Sequence, residues 1–240
     1  MIDKNLVINW IRSYFEENGN ENTKAIIGIS GGKDSTIAAA LCVEALGKDR
    51  VLGVLMPDGE QADIEDSYRV VKFLDIPYVE INIGQACYGI YKKMINNNLP
   101  IHLPVVYTNL PARIRMTTLY AVAASVGGRV CNTSNLSEIY VGYSTKWGDG
   151  IGDFGPLRNF LVSEVINLGY QLGLPEDLII KTPSDGMSGV SDEVKLGVTY
   201  DEIEKYIKGA RVNGTVANKI ATMHAAAAHK EITIPSCPRS

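Results

Sequence analysis

The chain has 240 residues, 45% of them apolar, with 27 acidic against 23 basic side chains and a formal net charge of −4. That length suits one substantial α/β domain with a full core, and the acidic balance, with no basic stretch, argues against a nucleic-acid-binding surface. No apolar run approaches the roughly 20 residues that span a bilayer, and residues 1–20 mix acids with apolar side chains where a secretion signal needs an apolar centre, so no membrane partner and a cytoplasmic location are expected.

Residues 4–18 set Leu6, Val7, Trp10, Ile11, Tyr14 and Phe15 at helical spacing, which predicts an amphipathic helix ended by Gly19-Asn20. Residues 24–29 follow as an apolar, β-branched run, the pattern of a strand buried on both faces. The run turns into Ser30-Gly31-Gly32-Lys33-Asp34-Ser35, and residues 35–46 read as helix. A strand, a glycine-rich turn and a helix aim several backbone N–H groups and the positive end of the helix dipole at one point. The glycines let a phosphate approach the backbone, Ser30 and Ser35 add hydroxyls, and Lys33 adds positive charge. Asp34 is the odd member, because a carboxylate beside bound phosphates repels them unless a metal ion lies between. A Walker A loop needs Ser or Thr after its lysine, where this chain has Asp34, and Gly28, Gly31 and Gly32 lack the spacing of a dinucleotide fingerprint. The segment resembles instead the S-G-G-x-D-S pyrophosphate loop of ATP pyrophosphatases, which cleave ATP between its α and β phosphates.

Further along, residues 51–56 predict a second buried strand closed by Pro57-Asp58-Gly59, residues 63–74 a helix, and 78–83 a third strand that alternates more and belongs nearer an edge. Residues 84–98 read as helix, 110–126 as a long helix capped by Gly127-Gly128, and 129–132 as a fourth strand. Residues 143–153 form a glycine-rich stretch with Lys146, Asp149 and Asp153. Helices are predicted at 161–172, 175–180, 200–207 and 212–229, a mobile polar loop at 182–195, and an extended tail. Strands alternating with helices at this spacing mean an α/β fold built on a single doubly wound parallel sheet, Rossmann-like, with helices on both faces. Ligands of such sheets bind beyond the carboxyl ends of the strands, where the topology switches. Cys42, Cys87, Cys131 and Cys237 are far apart with no C-x-x-C pair, so neither a zinc site nor a disulfide framework is expected; Cys42 and Cys131 fall in core elements as small buried hydrophobes. No internal repeat or linker divides the chain.

Along almost its whole length the chain resembles the ammonia-dependent NAD synthetases, whose fold is that of the adenine-nucleotide alpha-hydrolases. The segments that carry the resemblance are GISGGKDS at 28–35, NLPARIRM at 109–116, NTSNLSE at 132–138, GYSTKWGDGIGD at 142–153, LGVTYDEIEKYI at 196–207 and His229-Lys230. The resemblance implies adenylation of the nicotinate carboxylate of deamido-NAD by ATP, with pyrophosphate leaving, and then displacement of AMP by ammonia to give NAD. It implies Mg²⁺ on Asp34 and Glu138, catalysis by Asp34, Lys33 and Glu138, and ATP contacts from Gly28, Ile29, Ser30, Gly31, Gly32, Lys33, Asp34, Ser35, Met56, Thr133 and Ser184. It further implies deamido-NAD contacts from Arg113, Lys146, Asp149, Asp153, His229 and Lys230, and a homodimer packed through the Arg113 helix. Relatives that take nitrogen from glutamine carry a large extra domain, and 240 residues leave no room for one, so free ammonia is the expected donor. One departure stands out: Val162 occupies a position where relatives commonly have a lysine for ATP phosphate, with Arg158 or Lys181 as possible substitutes. The alternatives are a GMP-synthetase-like or tRNA-modifying ATP pyrophosphatase, and a regulatory protein that binds nucleotide without chemistry.

Overall fold

The structure, a computed structural model, describes residues 2–61, 63–180 and 191–231. Helix α1 (Lys4–Asn18) starts where the Asp3 carboxylate accepts the Asn5 N–H, and it buries Val7, Ile8, Ile11 and Phe15 along one face. Strand β1 (Lys24–Gly28) leads through the glycine turn into α2 (Lys33–Leu46), and β2 (Val51–Leu55) into α3 (Ile64–Phe73). Strand β3 (Tyr78–Glu80) precedes α4 (Gly84–Asn96), and α5 (Pro104–Val126) precedes β4 (Gly128–Val130).

All four strands are parallel, in the order β3-β2-β1-β4. The chain therefore moves outward from β1 through β2 to β3, then returns across the sheet to lay β4 on the other side of β1. The topological switch lies between β1 and β4, and the crevice beyond their carboxyl ends is the predicted ligand position. Strand residues alternate between two cores. Ile27, Val51 and Leu55 face a core shared with α1, α2, α3, α7 and α8, whose last two members are α7 (Val162–Gln171) and α8 (Glu176–Ile179), counted after α6 (Leu136–Val141). Ile26, Leu52, Val54 and Val130 face the opposite layer with Met116, Leu119 and Ala123 of α5 and Cys87 of α4. Helices thus cover both faces, as the alternating pattern predicts. A third, smaller core gathers Val141, Val162, Leu196, Tyr200, Ile203 and Ile220; it joins α6 and α7 to α9 (Asp192–Leu196), α10 (Tyr200–Ile207) and α11 (Gly214–Glu231).

Four boundaries differ from those predicted. Strand β3 stops at Glu80 and is exposed along its length, consistent with its edge position. Strand β4 ends at Val130, although Cys131 still bridges Phe154 and extends that edge. Helix α5 begins at Pro104, six residues before the expected start, with Pro111 inside it. Residues 192–196 of the expected loop are helical, because Ser191 caps Val194 N–H and Gly197 supplies a left-handed exit at φ +62°. Cys42, Cys87 and Cys131 are buried free thiols. Among the described residues no helix is long and apolar enough to cross a membrane.

Candidate active site

The glycine turn after β1 is held open by its own hydroxyls. Ser30 Oγ and Ser35 Oγ lie 3.1 Å apart, Ser30 N–H donates to Ser35 Oγ at 3.3 Å, and Gly32 N–H donates to Ser30 Oγ at 3.2 Å. Ser35 and Thr36 donate back to Gly32 O, which fixes the entry into α2. Gly31 has φ +74°, and a Cβ there would stand 2.7 Å from Asp66 Cβ and 2.9 Å from the backbone nitrogen of Ser67. Only glycine allows the turn to press this closely on α3. Gly28 and Ile29 complete the approach: Ile29 N–H donates to Val54 O, and Gly28 leaves room for the Met56 side chain at the end of β2.

Lys33 does not reach into open solvent. It is 4% exposed, and its Nζ donates to Asp34 Oδ2 at 2.8 Å while lying 5.7 Å above the centre of the Tyr200 ring. Burial works against the ammonium, but the carboxylates of Asp34, Glu138 and Asp192 outweigh it and hold Lys33 above the ordinary lysine value.

Glu138 comes from the other side of the switch point. It closes a capping box on α6: Asn135 Oδ1 accepts Glu138 N–H at 3.1 Å, and Glu138 Oε2 accepts Asn135 N–H at 3.2 Å. Asn135 also donates from Nδ2 to Asp34 Oδ1 at 3.3 Å, tying the two strand ends together. Glu138 is half-buried by surface area yet crowded by protein atoms, so removal from water pushes its carboxyl up first, and the charge of Asp34 pushes it further, to about 8. Lys33 and the Asn135 N–H pull the other way and do not win. Two carboxylates forced together in this way suit a divalent cation, whose charge removes the repulsion. Among the described residues no group of three metal-type side chains gathers anywhere. Two carboxylates with substrate phosphates and water completing the shell match the habit of Mg²⁺.

The remaining predicted positions divide. Thr133 is half-buried in the turn after β4, between Asn132 and Ser134, close to the capping box. Arg113 is exposed on α5 and donates from Nε to Lys146 O at 3.2 Å; Lys146 Nζ lies 5.4 Å over the Trp147 ring. Asp149 accepts Thr145 N–H at 2.7 Å, and its carbonyl accepts Asn132 Nδ2 at 2.8 Å. Asp153 spends its carboxylate within the chain, accepting Val130 N–H at 2.7 Å and the Tyr120 hydroxyl at 3.3 Å, so it clamps the end of β4. Lys230 donates to Gly142 O and Ser144 O, both at 2.6 Å, and pins α11 to the loop after α6; burial lowers its pKa, with Asp149 opposing. His229 is exposed on the last turn of α11. Ser184 and Lys181 lie outside the described residues. Val162 is buried in the third core, and Arg158 donates to Asn132 Oδ1 and Gly150 O and pairs with Glu231.

The sequence reading missed four side chains at this site. Arg115 donates from Nε to Met56 O at 3.1 Å, and burial lowers its pKa against the pull of Asp58. Asn135 was legible as the first residue of an N-x-x-E capping pattern before an apolar turn. Asp192 and Tyr200 arrive from a distant segment, with Asp192 accepting the Tyr143 hydroxyl at 2.7 Å. Nothing local in the sequence marks them.

Residues 4–234 match the family model described as NAD synthase. The NH₃-dependent NAD⁺ synthetase of Pyrococcus horikoshii is 39% identical over 209 residues, covering 86% of this chain and 79% of that one. Among solved structures, an NMN synthetase from Francisella tularensis superposes with a TM-score of 0.90 at 31% identity, covering 98% of this chain and 96% of that one. The NH₃-dependent NAD synthetase of Campylobacter jejuni superposes at 0.78 with 26% identity over the full length of both chains.

Proposed function

Because the chain belongs to the NAD synthase family and is a carbon–nitrogen ligase, we propose that it adenylates the nicotinate carboxylate of deamido-NAD with ATP and then lets free ammonia displace AMP. The observation that carries this reading is the convergence of Asp34 and Glu138 on the glycine turn at the topological switch point.

A nicotinate carboxylate is a poor acylating group until its oxygen is bonded to phosphorus. The attack is an in-line displacement at the α phosphate, and the protein contributes mainly alignment and charge neutralisation. The N–H groups of Gly31 and of Lys33, Asp34 and Ser35 at the start of α2 are left for the departing pyrophosphate, while the hydroxyls of Ser30 and Ser35 hold the turn in shape around it. Asp34 and Glu138 would hold Mg²⁺, which would supply charge neutralisation to the leaving group. Lys33, kept cationic by the carboxylates around it, balances the same charge. The acceptor lies toward Arg113, Lys146 and the loop bearing Asp149, with His229 and Lys230 at its rim; Asp153 and Lys230 serve it by holding that loop and β4 in place.

A second reading of the acceptor is nicotinate mononucleotide, favoured by the TM-score of 0.90 to an NMN synthetase. Steady-state rates with each acceptor, under ammonium and under glutamine, separate the possibilities. The expected result is a higher kcat/KM for deamido-NAD and activity with ammonium alone. Preference for the mononucleotide moves the reading to the smaller acceptor, and dependence on glutamine contradicts free ammonia as donor.

A homodimer is part of this proposal. The 23-residue α5 buries only Pro111, Met116, Leu119 and Ala123 within its own chain. Val105, Tyr107 and Val126 remain exposed on it, as do Ile95, Leu99 and Leu103 in the segment before it. Apolar surface on this scale fits a second copy. Sedimentation equilibrium is expected to return twice the chain mass, and a monomer at working concentration contradicts it. Free buried thiols agree with residence in the cytoplasm, which cell fractionation checks.

A further inference from the structure

Tyr200 opens α10 in the third core, and its backbone is fixed from two sides. Its N–H donates to Glu193 Oε1 at 2.8 Å, and the preceding Thr199 closes a capping box with Glu202. The residue is 6% exposed. Its phenol oxygen is the one fully buried side-chain polar atom, among the described residues, with no hydrogen-bond partner. A buried hydroxyl left in that state is costly, and in a native fold it calls for an explanation.

The surroundings supply one. Lys33, the residue that follows Gly32 of the glycine turn, lies over the ring, so Tyr200 stands beside that turn; Glu138, Asp192 and Asp34 also act on the phenol electrostatically. Burial, then Glu138 and Asp192, push its pKa well above that of an ordinary tyrosine, and the group remains an O–H donor throughout the working pH range. A neutral donor placed among carboxylates and beside an ammonium is suited to an anionic oxygen that enters with its own countercharge.

We propose that the Tyr200 phenol donates its hydrogen bond to a phosphoryl oxygen of the pyrophosphate arm of ATP, so that α10 reports occupancy of the glycine turn to the third core. The inference rests on residues 30–35 being the pyrophosphate site. AMP, which lacks the pyrophosphate arm, is therefore the control ligand.

The test is calorimetric titration of wild-type protein and Tyr200→Phe with inorganic pyrophosphate and, separately, with AMP, both in Mg²⁺. Removing one hydrogen bond to a charged oxygen is expected to weaken pyrophosphate binding by about tenfold and to leave AMP binding unchanged. The melting temperature of the ligand-free variant is expected to stay level or rise, since no bond within the chain is lost. Unchanged pyrophosphate affinity, equal weakening of both ligands, or a lowered melting temperature would each overturn the proposal. Neither titration contains the nicotinate acceptor, so a failed amidation assay and a failed role for Tyr200 are separately visible. Tyr200→Leu, which also removes the ring under Lys33, is expected to weaken pyrophosphate further than Tyr200→Phe does.

Discussion

Asp34→Ala is expected to lower NAD formation by roughly a thousandfold or more, the scale on which removal of one preorganised charge-stabilising group acts in a closed site. The carboxylate stands where three contacts meet: Lys33 Nζ at 2.8 Å, Asn135 Nδ2 at 3.3 Å, and the electrostatic reach of Glu138. With it gone, the cation site is reduced to Glu138 alone, and the repulsion that selects for a divalent ion disappears. The fold is expected to survive, because Lys33 keeps the carboxylates of Glu138 and Asp192 nearby. Initial rates across a Mg²⁺ series, beside a thermal melt, measure both effects. A variant that keeps more than about a tenth of the wild-type rate removes Asp34 from the mechanism.

Gly31→Ala is expected to damage stability and ATP use together. The left-handed backbone at φ +74° costs a Cβ-bearing residue about 1–2 kcal/mol, and pressing the new methyl into Asp66 and Ser67 of α3 adds about 1–3 kcal/mol. For a chain of this size the sum of about 2–5 kcal/mol corresponds to a fall in melting temperature of roughly 4–20 °C. Relief comes only by lifting the turn from α3, which disturbs the bonds among Ser30, Gly32 and Ser35. The KM for ATP is therefore expected to rise by about tenfold or more. Wild-type melting together with a wild-type KM contradicts the tight seating of this turn.

What could be read ahead of the structure was what depends on neighbours in sequence. The turn at residues 30–35 was legible because its strand, glycines and helix are contiguous, and the parallel sheet because strand and helix patterns alternate without interruption. The pairing of Asp34 with Glu138 was implied by the family resemblance, and the strand order that lays β4 beside β1 was supplied by the fold. The start of α5 was not legible: the helix read over 110–126 has Pro111 in its first turn, yet the helix begins at Pro104, where a missing N–H is harmless, and runs on through a buried Pro111. Helix α9 was hidden in a polar stretch whose cap and glycine exit are each weak signals alone.

Residue roles were harder still, because they depend on contacts across the chain. Asp153 bonds Val130 and Lys230 bonds Gly142 and Ser144, each joining a motif to a remote strand or loop. The resemblance implies ligand contacts for both, and their bonds within the chain add scaffold duties. Tyr200 was invisible for the same reason in reverse: its segment packs as an ordinary amphipathic helix, and only the folded chain brings the phenol beside Lys33.

The central claim is that ATP activates the acceptor by adenylation of its carboxylate, and the most direct measurement follows the carboxylate oxygen. Deamido-NAD labelled with heavy oxygen in the nicotinate carboxyl is incubated with ATP, ammonium and Mg²⁺, and the products are resolved by mass. The account predicts that AMP acquires one labelled oxygen for each NAD formed, with unlabelled pyrophosphate released in equal amount. Unlabelled AMP, or ADP with labelled phosphate in place of AMP, contradicts it.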